Sequence, residues 1–181
     1  TPGGLYASDH DIFVFMIDGG SVMDAGPRAQ LNRGFIVWNS ETGARTFGLM
    51  TFLFNHVCGN LIIWGATNIN KLLIRHTAGG PYRFDSQAGP CLKAFVDQPE
   101  SEDVCQIRKA QQYLLPKDDA ELVTLVAKAA KFSRVEVREA VNFAKSEEGE
   151  CRTLWQLVQG GTAYARGFEY TDARVDTSKR F

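Results

Sequence analysis

Apolar residues follow two patterns along this chain, and the change comes near residue 90. Before it, short runs rich in β-branched and aromatic residues recur: "DIFVFMID", "GFIVWN", "TFGLMTFLF", "NLIIWGA" and "KLLIRHT". Each is bounded by Gly, Asn, Asp or Ser, which end strands by adopting unusual φ or by bonding their own backbone. After it, apolar positions recur at three- and four-residue intervals, the helical period. The pattern predicts an α+β fold. Residues 1–90 are expected to form an antiparallel sheet, and residues 91–181 about four helices packed over it, all in one domain.

Between two of the early runs lies "NSETGAR". Gly43 can take positive φ, and Asn39, Ser40 and Thr42 can bond nearby backbone, which is the chemistry of a hairpin with a longer loop. "GFIVW" is apolar at every position, so both faces of that strand are expected to be covered. "FGLMTFLFNHV" reads as a strand that runs into a short helix before Gly59. In the second half a helix is predicted from about Ser101 through "SEDVCQIRKAQQYLL". Another follows Pro116, where Asp118, Asp119 and Glu121 suit a helix N-terminus and Leu122, Leu125, Val126, Ala129 and Phe132 keep helical spacing. Ser133 with Glu136 makes a capping-box pattern opening a third. "CRTLWQLVQGGTAYARGF" reads as a fourth, weakened by Gly160 and Gly161.

At 181 residues the chain can bury a core without disulfides. No apolar run reaches the roughly 18 residues that a membrane helix needs. Net charge is −1, with six basic and six acidic residues in 1–90 and fourteen and fifteen in the remainder. That excludes the whole-chain basic footprint of a strong nucleic-acid binder but leaves room for a local basic face. Cys58, Cys91, Cys105 and Cys151 lie far apart and read as free thiols of a reducing, cytoplasmic compartment. The start at Thr1 and the helical pattern running to Phe181 suggest a piece of a longer protein.

The candidate chemistry is local. "NKLLIRHTAGGPYRF" interleaves Lys71, Arg75, His76 and Arg83 with Tyr82 and Phe84 beside a Gly-Gly-Pro turn. Cations among aromatics suit phosphate contacts and base stacking on a single strand; an edge strand with a charged rim is the other reading. His56, Cys58 and His76, with Cys91, are the metal-type side chains, but structural zinc sites supply ligands as two tight pairs, and only His56 and Cys58 form one. Cys58 with His76 could form a nucleophile–base pair, and Asp9 with Asp11 could hold a hard cation; solvated strand-end charge is the alternative for the acids. Arg134, Arg138, Asn142 and Lys145 would face DNA if the helices meeting at Ser133 formed a helix-turn-helix. Their junction is short and lacks Gly, so a bundle packed on the sheet is preferred. GxxxxGK[ST], GxGxxG and GxSxG are all absent, so nothing signals an enzyme or a cofactor.

"SDHDIFVFMID", "RGFIVWNSETGARTFGL", "FNHVCGN", "IRHT" and "LWQLVQGGTAYAR", in that order, resemble the phage- and plasmid-borne proteins grouped as domain of unknown function 932. The resemblance covers nearly the whole chain. Its hairpin motif falls on Trp38, Asn39, Ser40, Glu41 and Gly43, and its later motifs on Cys58, Gly59, Asn60, Arg75, His76 and Thr77. It implies a bacterial host, a mobile-element setting and members longer than this chain at both ends; it implies no catalytic residue. The motif polar residues read as loop architecture, and any site is expected near the hairpin loop and the "RHT" end. The functional expectation is a single-strand-binding or annealing protein of mobile-element DNA metabolism, possible as a homo-oligomer and without a membrane partner. The alternative is a protein–protein module that inhibits or redirects a host defence or replication factor.

Overall fold

The computed structural model describes residues 5–7, 10–20, 22–43, 45–57, 60–62, 71–169, 171–178 and 180, with the backbone alone for 6, 60–62, 171, 172 and 178. Among the described residues, seven strands form one sheet: β1 (Leu5–Ala7), β2 (Asp11–Ile17), β3 (Met23–Asp24), β4 (Gln30–Ser40), β5 (Phe47–Asn55), β6 (Asn60–Ile62) and β7 (Lys71–Ile74). Six helices follow: α1 (Gly80–Asp97), α2 (Glu100–Gln112), α3 (Asp119–Ala130), α4 (Arg134–Glu148), α5 (Leu154–Arg166) and α6 (Thr171–Ser178). The sheet is antiparallel throughout. β4 and β5 are its centre, paired from Leu31–Asn55 to Trp38–Gly48. β2 and β3 share the outer edge of β4, and β6 and β7 share that of β5.

Strand alternation sorts the core. Phe13, Ile36, Trp38, Met50 and Phe52 lie on one face and close over Val175 of α6. Leu31 and Leu53 lie on the other, against Phe95 of α1, Ile107 and Ala110 of α2, and Trp155 and Val158 of α5. α3 and α4 form a further layer on α5, where Leu122, Phe132, Val137, Ala140, Val141 and Ala144 meet Leu157. The sheet is thus covered on both faces by helices, but unequally. Phe35 and Val37 of β4 are half-buried, so the expectation that "GFIVW" is covered on both sides holds fully on the Ile36–Trp38 face and in part on the other.

Local chemistry explains most boundaries. Ser133 and Glu136 form the expected capping box at α4, and Thr153 with Gln156 does the same at α5. Asp118 caps α3 by accepting from the Glu121 N–H at 2.8 Å. β5 is a strand up to Asn55, and His56 and Val57 form a turn rather than a helix. The helical part starts at Gly80, ahead of the pattern change near residue 90, and α1 and α6 add to the four expected helices. Gly79-Gly80-Pro81 opens a helix rather than making a free turn, because Pro81 lacks an N–H in the first turn, where helical N–H groups have no partner anyway.

Arg33, only 8% exposed, anchors α1 and α2 to the sheet. Its guanidinium donates to Asp103 at 2.9 Å and to the Val96 carbonyl at 3.1 Å, and its carbon lies 5.2 Å from the Phe95 ring centre. A buried cation survives only with such partners.

Candidate nucleic-acid interface

The site grows from the junction of β7 and α1. β7 ends at Ile74, and five residues then turn the chain into the helix. The Gly80 N–H donates to the Thr77 carbonyl at 2.8 Å, and the Arg83 N–H to the Gly79 carbonyl at 3.1 Å. The Arg83 guanidinium donates back to the Thr77 hydroxyl at 2.5 Å. Alongside runs the end of the β4–β5 hairpin, because Phe47 pairs with Ile74 and Asn39 lies one residue beyond the last β4–β5 pair.

Together these elements line a half-open cavity of about 320 Å³. Phe47, Ile74, Pro81 and Phe84 supply its apolar walls, and Phe47 meets Phe84 edge to face with ring centres 4.3 Å apart. Asn39, Arg75, His76, Thr77 and Asp85 supply its polar groups. Arg45 braces the rim. Its carbonyl accepts from His76 Nε2–H at 2.9 Å, and its guanidinium reaches Asp11 of β2 and Asp176 of α6, each at 3.3 Å. A carbonyl can only accept, so Nε2 of His76 carries a proton there. The pocket thus sets apolar and aromatic side chains beside one guanidinium, one carboxylate, an imidazole and an amide.

The structure brings Arg75 and His76 to this cavity, with Arg83 tied to its rim through Thr77. Tyr82 stands beside it on the first turn of α1, 78% exposed. Lys71 is not part of it: three residues before Ile74, it points to the opposite sheet face. The hairpin and "RHT" motifs meet here, with Asn39 beside Arg75, His76 and Thr77. The other hairpin residues support the turn. Trp38 lies over Gly48, Ser40 bonds Thr42 at 3.3 Å, Glu41 donates its N–H to the His10 carbonyl at 2.9 Å, and Gly43 takes φ 70. Cys58, Gly59 and the Asn60 side chain lie outside the described residues. Sequence reading missed Phe47, Asp85 and the wall role of Phe84; the helical spacing of Phe84, Ala88 and Phe95 was the available signal.

The metal reading fails on distance. His56 follows the end of β5 that pairs with β6, and His76 follows the strand paired with its other end. Eight residues of strand, about 26 Å, separate them. His56 bonds instead to Asn32 and packs on Phe54, and Cys91 sits on α1 with its thiol pKa raised by burial. Among the described residues, no three His, Cys, Asp or Glu side chains are grouped to hold a metal. Asp11 pairs with Arg45, and Asp9 lies outside the described residues, as does Cys58 of the nucleophile pair. The helix-turn-helix reading also fails. Lys145 of α4 pairs with Asp119 at the start of α3, whereas helices crossing at a right angle would place those residues about 25 Å apart by helix rise. α3 and α4 are an antiparallel hairpin. Arg134, Arg138 and Asn142 line a shallow groove between them with Asp119 and Thr124.

Among the described residues, no helix is long and apolar enough to cross a membrane. Comparison with protein-family models, curated proteins and solved structures gives no match to this chain.

Proposed function

We propose that this protein binds single-stranded nucleic acid at the β7–α1 cavity, as a strand-binding or annealing protein in the DNA metabolism of phages or plasmids. The observation that carries this reading is the combination in one cavity of aromatic and apolar walls with Arg75 and His76, next to Arg83 and an exposed Tyr82. Single-strand binders pair stacking surfaces with cations that follow the backbone, and stacking contributes about 1–3 kcal/mol per base. The mobile-element setting comes from the motif resemblance. With a net charge of −1, this reading relies on a local cluster of cations, so binding is expected to be moderate and to weaken with salt. The test is fluorescence anisotropy with a labelled single strand of about thirty nucleotides and its duplex. Micromolar or tighter binding of the single strand, weaker binding of the duplex and a fall with salt are expected. No binding to either at low salt would refute the proposal.

A second reading has its own observation. Leu5, Ile12 and Met16, which are 63%, 38% and 52% exposed, share one face at the β1–β2 edge. Such a row suits a protein partner of a host defence or replication system. A single stoichiometric partner retained from nuclease-treated host lysate, and lost when Met16 becomes Lys, would support it.

A further inference from the structure

Asp85 does not belong in a cavity for phosphate. Its residue lines the cavity with Asn39, Arg75 and His76, and its carboxylate has no hydrogen-bond or ion-pair partner among the described residues. A phosphate inside would face a like charge at the pocket edge, a repulsion that the solvent around exposed Asp85 screens only in part. A base carries no charge and meets those walls with its ring faces. A strand's phosphates would then lie outside, within reach of Arg83 at the rim.

We infer that the cavity is a base pocket selective for guanine within a single strand, with Asp85 as the reading residue. This deepens the strand-binding proposal and rests on it. A carboxylate only accepts hydrogen bonds, and it can accept two at once. Guanine offers two adjacent donors, N1–H and the N2 amino group, on its Watson–Crick edge, where unpaired bases are read. Cytosine and adenine offer one amino group each. Thymine offers one N–H between two carbonyl oxygens, which a carboxylate repels. Asn39, with both an amide donor and an acceptor, can meet guanine O6 or N7. Helix α1 carries Asp85 next to Phe84, and both residues line the cavity, so an acceptor and a stacking surface occur in one pocket.

The test uses labelled thymidine strands of about fifteen nucleotides carrying one central G, A, C or T. The wild-type protein is expected to bind the G strand about tenfold more tightly than the all-T strand. Asp85→Asn should bring that preference to within about twofold, read as the ratio of G-strand to all-T-strand affinity in the same variant. Asp85 is exposed, so the variant should melt as the wild type does. Equal affinity for all four strands, or a preference that survives Asp85→Asn, would overturn the guanine pocket and leave strand binding standing. Failure to bind every strand would sink the strand-binding proposal itself. Free GMP should compete only at much higher concentration than the G strand, since it lacks the flanking phosphates. Competition at equal concentration would overturn the strand as the ligand in favour of a free nucleotide.

Discussion

Gly160→Ala sets helix propensity against packing, and the two predict opposite signs. Gly160 lies inside α5, where alanine is favoured over glycine by about 1 kcal/mol. Propensity alone therefore predicts stabilisation. The structure places α4 directly against this residue. A Cβ there would lie 2.0 Å from the Ala140 carbonyl oxygen and 2.7 Å from both the Ala144 Cβ and its backbone nitrogen. Two of these three atoms belong to a helix backbone, so no side chain can rotate away. α4 and α5 would have to separate by about 1 Å or more, loosening the cluster of Val137, Ala140, Val141, Ala144 and Leu157. Overpacking of a core costs about 1–3 kcal/mol even where side chains can adjust. The net expectation is a loss of about 2 kcal/mol or more, or a fall in Tm of about 4–8 °C for a chain of this size. Urea unfolding followed by circular dichroism measures it, with an unchanged slope marking a change of native stability. A Gly160→Ala protein that is more stable by about 1 kcal/mol would refute the close approach of the two helices.

Other consequences are as direct. Asp103→Ala should destabilise by about 3 kcal/mol, because it leaves Arg33 charged and buried, and pairing it with Arg33→Met should restore most of the loss; an additive double mutant in urea unfolding would contradict this. Cys151, 3% exposed, has its thiol pushed up to about 11 by burial and by Asp119, so it should resist alkylation at neutral pH while exposed Cys105 reacts; mass spectrometry of the alkylated native protein decides. Burial acts to raise the Glu136 pKa, but hydrogen bonds from Arg180 and Ser133 outweigh it and hold the carboxyl below its ordinary value. Its contribution to stability is therefore present above the unfolded pKa and lost as pH falls through the lower folded value. Arg180→Ala should flatten the acid side of the stability–pH curve, and an unchanged acid limb would count against that pairing.

The sheet and the central helices were legible because their signals are local. β2, β4 and β5 came from aromatic and β-branched runs ending in turn residues, and α4 from the Ser133–Glu136 pair that the structure closes into a capping box. α1 was missed because Gly79, Gly80 and Pro81 were read as punctuation, although the same residues can open a helix. That miss hid part of the site. Phe84 and Asp85 face Asn39 and Phe47 only once a helix folds back over the hairpin, a contact between distant parts of the chain that no local pattern encodes. Arg33 shows the same limit from the other side. It looked like one charge in a motif, and the fold makes it the buried link between the sheet and two helices. Gly160 looked like a weak point in a helix and is instead where two helices touch.

The cavity at β7 and α1 as a strand-binding site is the central claim, and one comparison tests it most directly. The affinity of a labelled thymidine strand of about thirty nucleotides should be measured over a salt series for the wild type and for Arg75→Ala with Arg83→Ala. If each arginine neutralises one phosphate, the slope of log affinity against log salt should become shallower by about 1.4, and binding at low salt should fall about tenfold or more. Affinity and slope identical to wild type would place the nucleic acid elsewhere or exclude it, and the claim would fall.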